Sequence, residues 1–145
     1  MSLLETRFGG KSTYDIKLGD FFPAEFACPH CLNVNILEEL WRACQMIRDA
    51  AMRPVIIDSG YRCPTWNQSV GGSKDSDHIH GFAADIRIPG MTPDEVGKIA
   101  ARFSETIKRM GIYMDRDFVH IGVRSRGPGT WRRWRVNADG EINGE

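Results

Sequence analysis

SGYRCPTWNQSVGGSKDSDHIHGFAADIRI, residues 59–88, is the stretch on which the reading of this chain turns. It puts two histidines, three aspartates and four glycines into thirty residues, with only short apolar runs. Gly, Ser, Asn and Asp form loops wherever they occur, so such a stretch is either an idle surface loop or a site. Its flanks favour a site held between strands. VIID (55–58) reads as a buried strand leading into the polar segment, and AADIRI (83–88) as a second strand leading out of it.

Working outward, ILEELWRACQMIRDAAM places Leu37, Leu40, Trp41, Cys44, Ile47 and Ala51 at helical spacing, with Asn35 as N-cap and Pro54 as stop. Thr92, Pro93 and Glu95 supply a cap, a first-turn proline and a capping-box partner. Val96, Ile99, Phe103, Ile107 and Met110 then keep helical spacing as far as Gly111. IYM (112–114) and DFVHIGV (117–123) read as strands joined by a tight polar turn, and WRRWRVNADGEI as a last strand with a turn at Asp139-Gly140. Helices and short strands intermix without regular alternation, which predicts an α+β fold with a small, mostly antiparallel sheet flanked by helices.

The 145 residues, 41% of them hydrophobic, suit one domain over 1–145 and a monomer. Nineteen basic residues balance nineteen acidic ones, so overall charge makes no case for a nucleic acid or a membrane surface. No apolar run is long enough for a transmembrane segment, and MSLLETRFGGKSTYD has no signal-peptide pattern. Cys28, Cys31, Cys44 and Cys63 are too few for a disulfide scaffold.

A catalytic zinc takes three protein ligands and leaves a fourth position for water. His78 and Asp85 stand seven residues apart, one at the end of the polar loop and one inside the next strand. His120 lies in the apolar run FVHIGV, where an imidazole needs a partner. A lone histidine in a strand is more often a hydrogen-bonded core residue, so spacing alone leaves both readings open.

SGYR, then Asn67 and the Gly71-Gly72 pair, then Ser76-Asp-His78-Ile-His-Gly81-Phe-Ala83-Ala-Asp85 and later Asp117-Phe-Val-His120, together resemble the zinc D-Ala-D-Ala peptidase family. These are peptidase family M15 enzymes of bacterial walls and phages. The likeness covers about residues 20–123, and S-x-H-x-x-G-x-A-x-D is its specific element. It implies a hedgehog/D-Ala-D-Ala-peptidase-like fold and one catalytic zinc on His78, Asp85 and His120. It further implies Asp117 as the catalytic acid and Arg62 as a catalytic and substrate-contacting arginine. The implied substrate is a peptidoglycan stem peptide, cut either as a D-Ala-D-Ala carboxypeptidase or as an L-Ala-D-Glu endopeptidase cuts it. Without a visible leader, such an enzyme would reach the wall by phage release or from the periplasm.

Zinc on two neutral imidazoles and one carboxylate lowers the pKa of a water to roughly 7 and polarises a carbonyl. Asp117 would take the proton and return it to the leaving amine. Residues 117 and 120 of a regular strand point to opposite faces, so Asp117 must sit on the preceding turn. Tyr61, Ser76 and His80 are further substrate-binding candidates, although a Tyr beside a strand end is often core and Ser76 could simply hold the loop. His80 stands where the family often has an uncharged residue, and Gly122 where relatives frequently carry an acid.

Two other readings compete. Cys28-Pro-His-Cys31 matches a thioredoxin-like redox motif, but Leu32-Asn33-Val34-Asn35 delays the helix that would lower the thiol pKa. Metal binding by Cys28, Cys31 and a third cysteine is open too, although a second C-x-x-C is missing. A wall-binding module without turnover would draw on the five arginines between Phe118 and Ala138, with Trp131 and Trp134 among them.

Overall fold

The computed structural model describes residues 17–125, 132–137, 139–140 and 142–144. Six strands form one sheet: β1 (Ile56–Ser59), β2 (Ala83–Arg87), β3 (Arg109–Tyr113), β4 (Phe118–Gly122), β5 (Arg132–Val136) and β6 (Ile142–Gly144). Their order is β1-β2-β4-β3-β5-β6, and every neighbouring pair is antiparallel except β3 with β5. The expected α+β, mostly antiparallel architecture is therefore the one observed. Among the described residues three α-helices accompany the sheet: α1 (Glu38–Ala51), α2 (Pro64–Ser69) and α3 (Pro93–Ala100).

Helix α1 buries Leu40, Ala43, Cys44 and Ile47 along one stripe. α3 lies on β3 and β4 and touches α1, burying Val96, Ile99 and Ala100 over Ile86, Val119 and Ile121. Phe21, Phe26, Val34 and Ile36, from the segment ahead of α1, complete the same core. Burial of each large aliphatic side chain contributes about 1.5–3 kcal/mol, which is what fixes this layer against the sheet.

Several local expectations need correcting. α1 is capped by Leu37 rather than Asn35, and it ends at Ala51 before Pro54 is reached, with Met52 left-handed at φ 56. The capping box of Thr92 and Glu95 is formed as expected. The helix it starts stops at Ala100 and passes through a 3-10 turn, Ala101–Phe103, while Met110 and Gly111 lie in β3. Residues 109–113 gain ladders on both sides, to β4 and β5, whereas a helix would have satisfied the same backbone without burying Met110 against the sheet. α2 was not foreseen; Pro64 opens it and the Cys63 sulfur accepts the Trp66 N–H at 3.4 Å. No helix among the described residues is long and apolar enough to cross a membrane.

Candidate metal centre

The site grows from one cross-strand pair. Asp85 of β2 and His120 of β4 are direct antiparallel partners, so their side chains leave the same face of the sheet. On that face Asp85 Oδ1 lies 2.9 Å from His120 Nδ1. His78 reaches the same oxygen from the preceding turn, its Nε2 at 3.3 Å. Gly81 (φ 73) lets the turn bend back; a Cβ there would meet the Asn35 carbonyl oxygen at 2.0 Å.

All three candidate ligands are therefore brought together, their donor atoms within 4.8 Å of one another. The hydrogen bonding of His78 decides which of its nitrogens is free to coordinate. The other nitrogen of His78, Nδ1, lies 2.8 Å from the Gly60 carbonyl oxygen, which can only accept, so Nδ1 carries the proton. Nε2 is thereby the nitrogen left facing Asp85 Oδ1, where it is placed to serve as a metal ligand. A carbonyl-anchored imidazole is also the usual outer support of a metal-bound histidine. The donor set fits zinc.

Arg62 fixes the far side of Asp85. Its guanidinium donates to Asp85 Oδ2 at 3.3 Å, to Asn67 Oδ1 at 3.2 Å and to Ser59 Oγ at 3.0 Å. Oδ1 is left for the histidines. Burial is the largest influence on Asp85 and favours its neutral form, but His78 and His120 outweigh it and hold the carboxyl well below the usual range. Burial likewise lowers the Arg62 pKa, against the opposing pull of Asp85.

The three ligands open into a cleft of about 510 Å³. Arg109 and Trp134, which sequence reasoning did not single out for the site, line it together with Arg116, Arg132, Tyr113 and Phe118. Gly111 lies directly across from His120 and against the Trp134 indole, where a Cβ would meet the ring at 2.4 Å. Asn67, which braces Arg62, and Asp77, paired with Arg109 at 3.1 Å, were missed as supports. Asp77 had a signal, since it stands inside the S-x-H element; Arg109 had none, because only the register of β3 brings it to the cleft.

The remaining candidates are dispersed. Ser76 lines the cleft, but its Oγ accepts the His78 N–H at 3.2 Å and so holds the loop. Tyr61 does not line the cleft; it is buried in the core, where its backbone N–H meets the Phe26 carbonyl. His80 is also outside the cleft, stacked on Phe82 and paired with Asp75 at 2.8 Å. Asp117 sits on the 114–117 turn, as its spacing to His120 requires, with φ 58. It is exposed, and borders a small cavity between α3 and the sheet with Ile86, Met91 and Val96 rather than the metal cleft.

The described arginines of the arginine-rich segment are engaged at different places. Arg124 pairs with Glu39 and Arg135 with Asp94, while Trp134 belongs to the cleft. Arg126 and Trp131 lie outside the described residues, as does MSLLETRFGGKSTYD. The Cys28–Cys31 segment is a turn with no helix springing from it, so the feature that activates a thioredoxin-like thiol is missing.

Residues 20–122 match the family model described as Peptidase M15. A stretch of 52 residues is 35% identical to the zinc D-Ala-D-Ala carboxypeptidase of Streptomyces albus G. That stretch is 36% of this chain and spans only 20% of the relative's length.

Proposed function

The chain belongs to the peptidase M15 family, and from that premise we propose that it is a zinc-dependent peptidase that hydrolyses a peptide bond in the peptidoglycan stem. The observation that carries the reading is the meeting of His78 Nε2 and His120 Nδ1 on one Asp85 oxygen, with the His78 proton committed elsewhere. A zinc ion held there supplies Lewis acidity toward a carbonyl and lowers the pKa of a water to roughly neutral. His78, Asp85 and His120 hold it, and Arg62 keeps Asp85 aimed.

Among the described residues, Arg62, Arg109, Arg116 and Arg132 line the cleft against only Asp77 and Asp85, and Asp85 is a proposed ligand. That balance suits a substrate with a carboxylate beside the scissile bond, such as the stem peptide with its terminal and D-Glu carboxylates. Two N–H groups of Arg62 remain beyond its three bonds, enough to touch substrate as well. The family resemblance gives proton transfer to Asp117, a role that requires the 114–117 turn to carry its carboxylate over the cleft when substrate binds.

The deciding experiment is incubation of the zinc-loaded protein with purified muropeptides, followed by mass spectrometry of the products. Release of D-Ala or cleavage after L-Ala, abolished in His78→Ala, is the expected result. Intact muropeptides after prolonged incubation with protein whose zinc content is verified would overturn the reading and favour a wall-binding role.

A further inference from the structure

A second group of metal-ligating side chains lies outside the cleft and outside the proposed chemistry. The sulfurs of Cys28, Cys31 and Cys63 lie within 4.8 Å of one another, and no disulfide joins them. His30 Nδ1 stands 3.4 Å from Cys63 Sγ. We propose that these four residues form a structural zinc site, which clamps the segment ahead of α1 onto the strand-to-helix corner bearing Arg62.

Three features support a closed thiolate site. Cys28 and Cys31 are joined by a tight turn, with the Leu32 N–H on the Cys28 carbonyl at 2.8 Å, and this aims both thiols at Cys63. Leu32 itself is held at φ 64 although it carries a side chain and is exposed, and such strain persists only where the surroundings over-determine it. Backbone N–H groups point at sulfur: Cys63 N–H at Cys28 Sγ and Trp66 N–H at Cys63 Sγ, both at 3.4 Å. Amides so placed favour thiolate.

A disulfide would use two of these sulfurs and leave a third thiol and an imidazole beside it. Three thiolates with one neutral imidazole complete a tetrahedral Cys₃His set, the closed form typical of structural zinc. Binding releases three thiol protons to solvent and involves no redox step. The net charge of about −1 falls on a site already furnished with amide donors. Cys63 is next in sequence to Arg62 and opens α2, so a zinc here steadies the guanidinium that holds Asp85.

The test is metal stoichiometry and cobalt substitution on the purified chain. Two ions per chain are expected, with a thiolate-to-cobalt charge-transfer band. His78→Ala should keep one ion and the band. Cys63→Ser should keep one ion, lose the band, and leave Cys28 and Cys31 open to a thiol reagent that metal otherwise excludes. Should that variant fold poorly, His30→Ala is expected to retain the fold and surrender the thiolate-bound ion to a chelator at least tenfold faster than wild type. A wild-type chain without the band, or with a native disulfide among these cysteines, would overturn the proposal. Loss of the band is independent of the catalytic reading, which fails instead if His78→Ala leaves the ion count unchanged.

Discussion

At the scale of single residues, the arrangement turns on one carboxylate bonded on both of its oxygens. Asp85 is depressed well below its ordinary range by the two histidines, so in the metal-free protein it adds stability above the unfolded carboxylate pKa of about 3.9. That contribution is lost as pH falls below this value. Urea titrations of the metal-free chain should show a steep acid limb that Asp85→Asn flattens; an unchanged limb would mean that other carboxylates dominate. Asp117 is tested differently, because it is proposed to move a proton without holding metal. Asp117→Asn should keep its zinc and lose about 10²–10⁴ in turnover, the range for a positioned acid-base group. If it keeps full activity, the turn never delivers Asp117 to the cleft and another proton carrier is required. Arg62→Ala should raise KM and lower kcat together, since one guanidinium both aims Asp85 and lines the cleft.

At the scale of elements, helix α3 and strand β3 carry the structural risk. Thr92 Oγ1 accepts the Glu95 N–H at 3.2 Å, closing the first turn of the helix that covers β3 and β4. Thr92→Ala should cost about 1 kcal/mol and lower Tm by roughly 3 °C, with metal content unchanged. Gly111→Ala pushes a methyl into the Trp134 indole, which lines the cleft beside His120. It should cost about 1–3 kcal/mol by overpacking and reduce turnover by displacing the ring. Thermal melts with parallel assays separate the two variants, because only the second alters the cleft. The overlong helix expected through Met110 shows where periodicity misleads: Ile107 and Met110 are three apart and both buried, yet Met110 belongs to a strand paired on two sides. A three-residue spacing cannot reveal a ladder to residues 132–136.

At the scale of the molecule, the charge of the cleft differs from that of the chain. Acids and bases balance overall at nineteen each, while four arginines converge on the cleft. Blocking the carboxylate nearest the scissile bond, for instance by amidation, should raise KM at least tenfold, and added salt should narrow the gap. Equal kinetics for the free and amidated peptides would remove the arginines from substrate recognition. Cys44 provides an internal control for thiol chemistry. It is fully enclosed beneath α1, burial pushes its thiol far above the ordinary value, and it should stay unlabelled until the chain unfolds.

The resemblance carried by residues 59–88 and 117–120 singled out His78, Asp85 and His120, which the fold brings together, and the fold class was legible in the mix of helices and short strands. The S-x-H-x-x-G-x-A-x-D element contains the turn, its obligatory Gly81 and two candidate ligands within ten residues, and alternation marks the strands on which Asp85 and His120 stand. The six-strand order, the parallel β3–β5 pairing and the placing of Arg109 and Trp134 in the cleft depend on contacts between distant segments that leave no local pattern. Asp117 shows the same limit in reverse. Its spacing placed it on the turn, but where its carboxylate goes was decided by a left-handed backbone at the start of β4. The convergence of Cys63 with Cys28 and Cys31 likewise depended on β1 delivering residue 63 beside the N-terminal segment, a contact made by packing and carried by no motif.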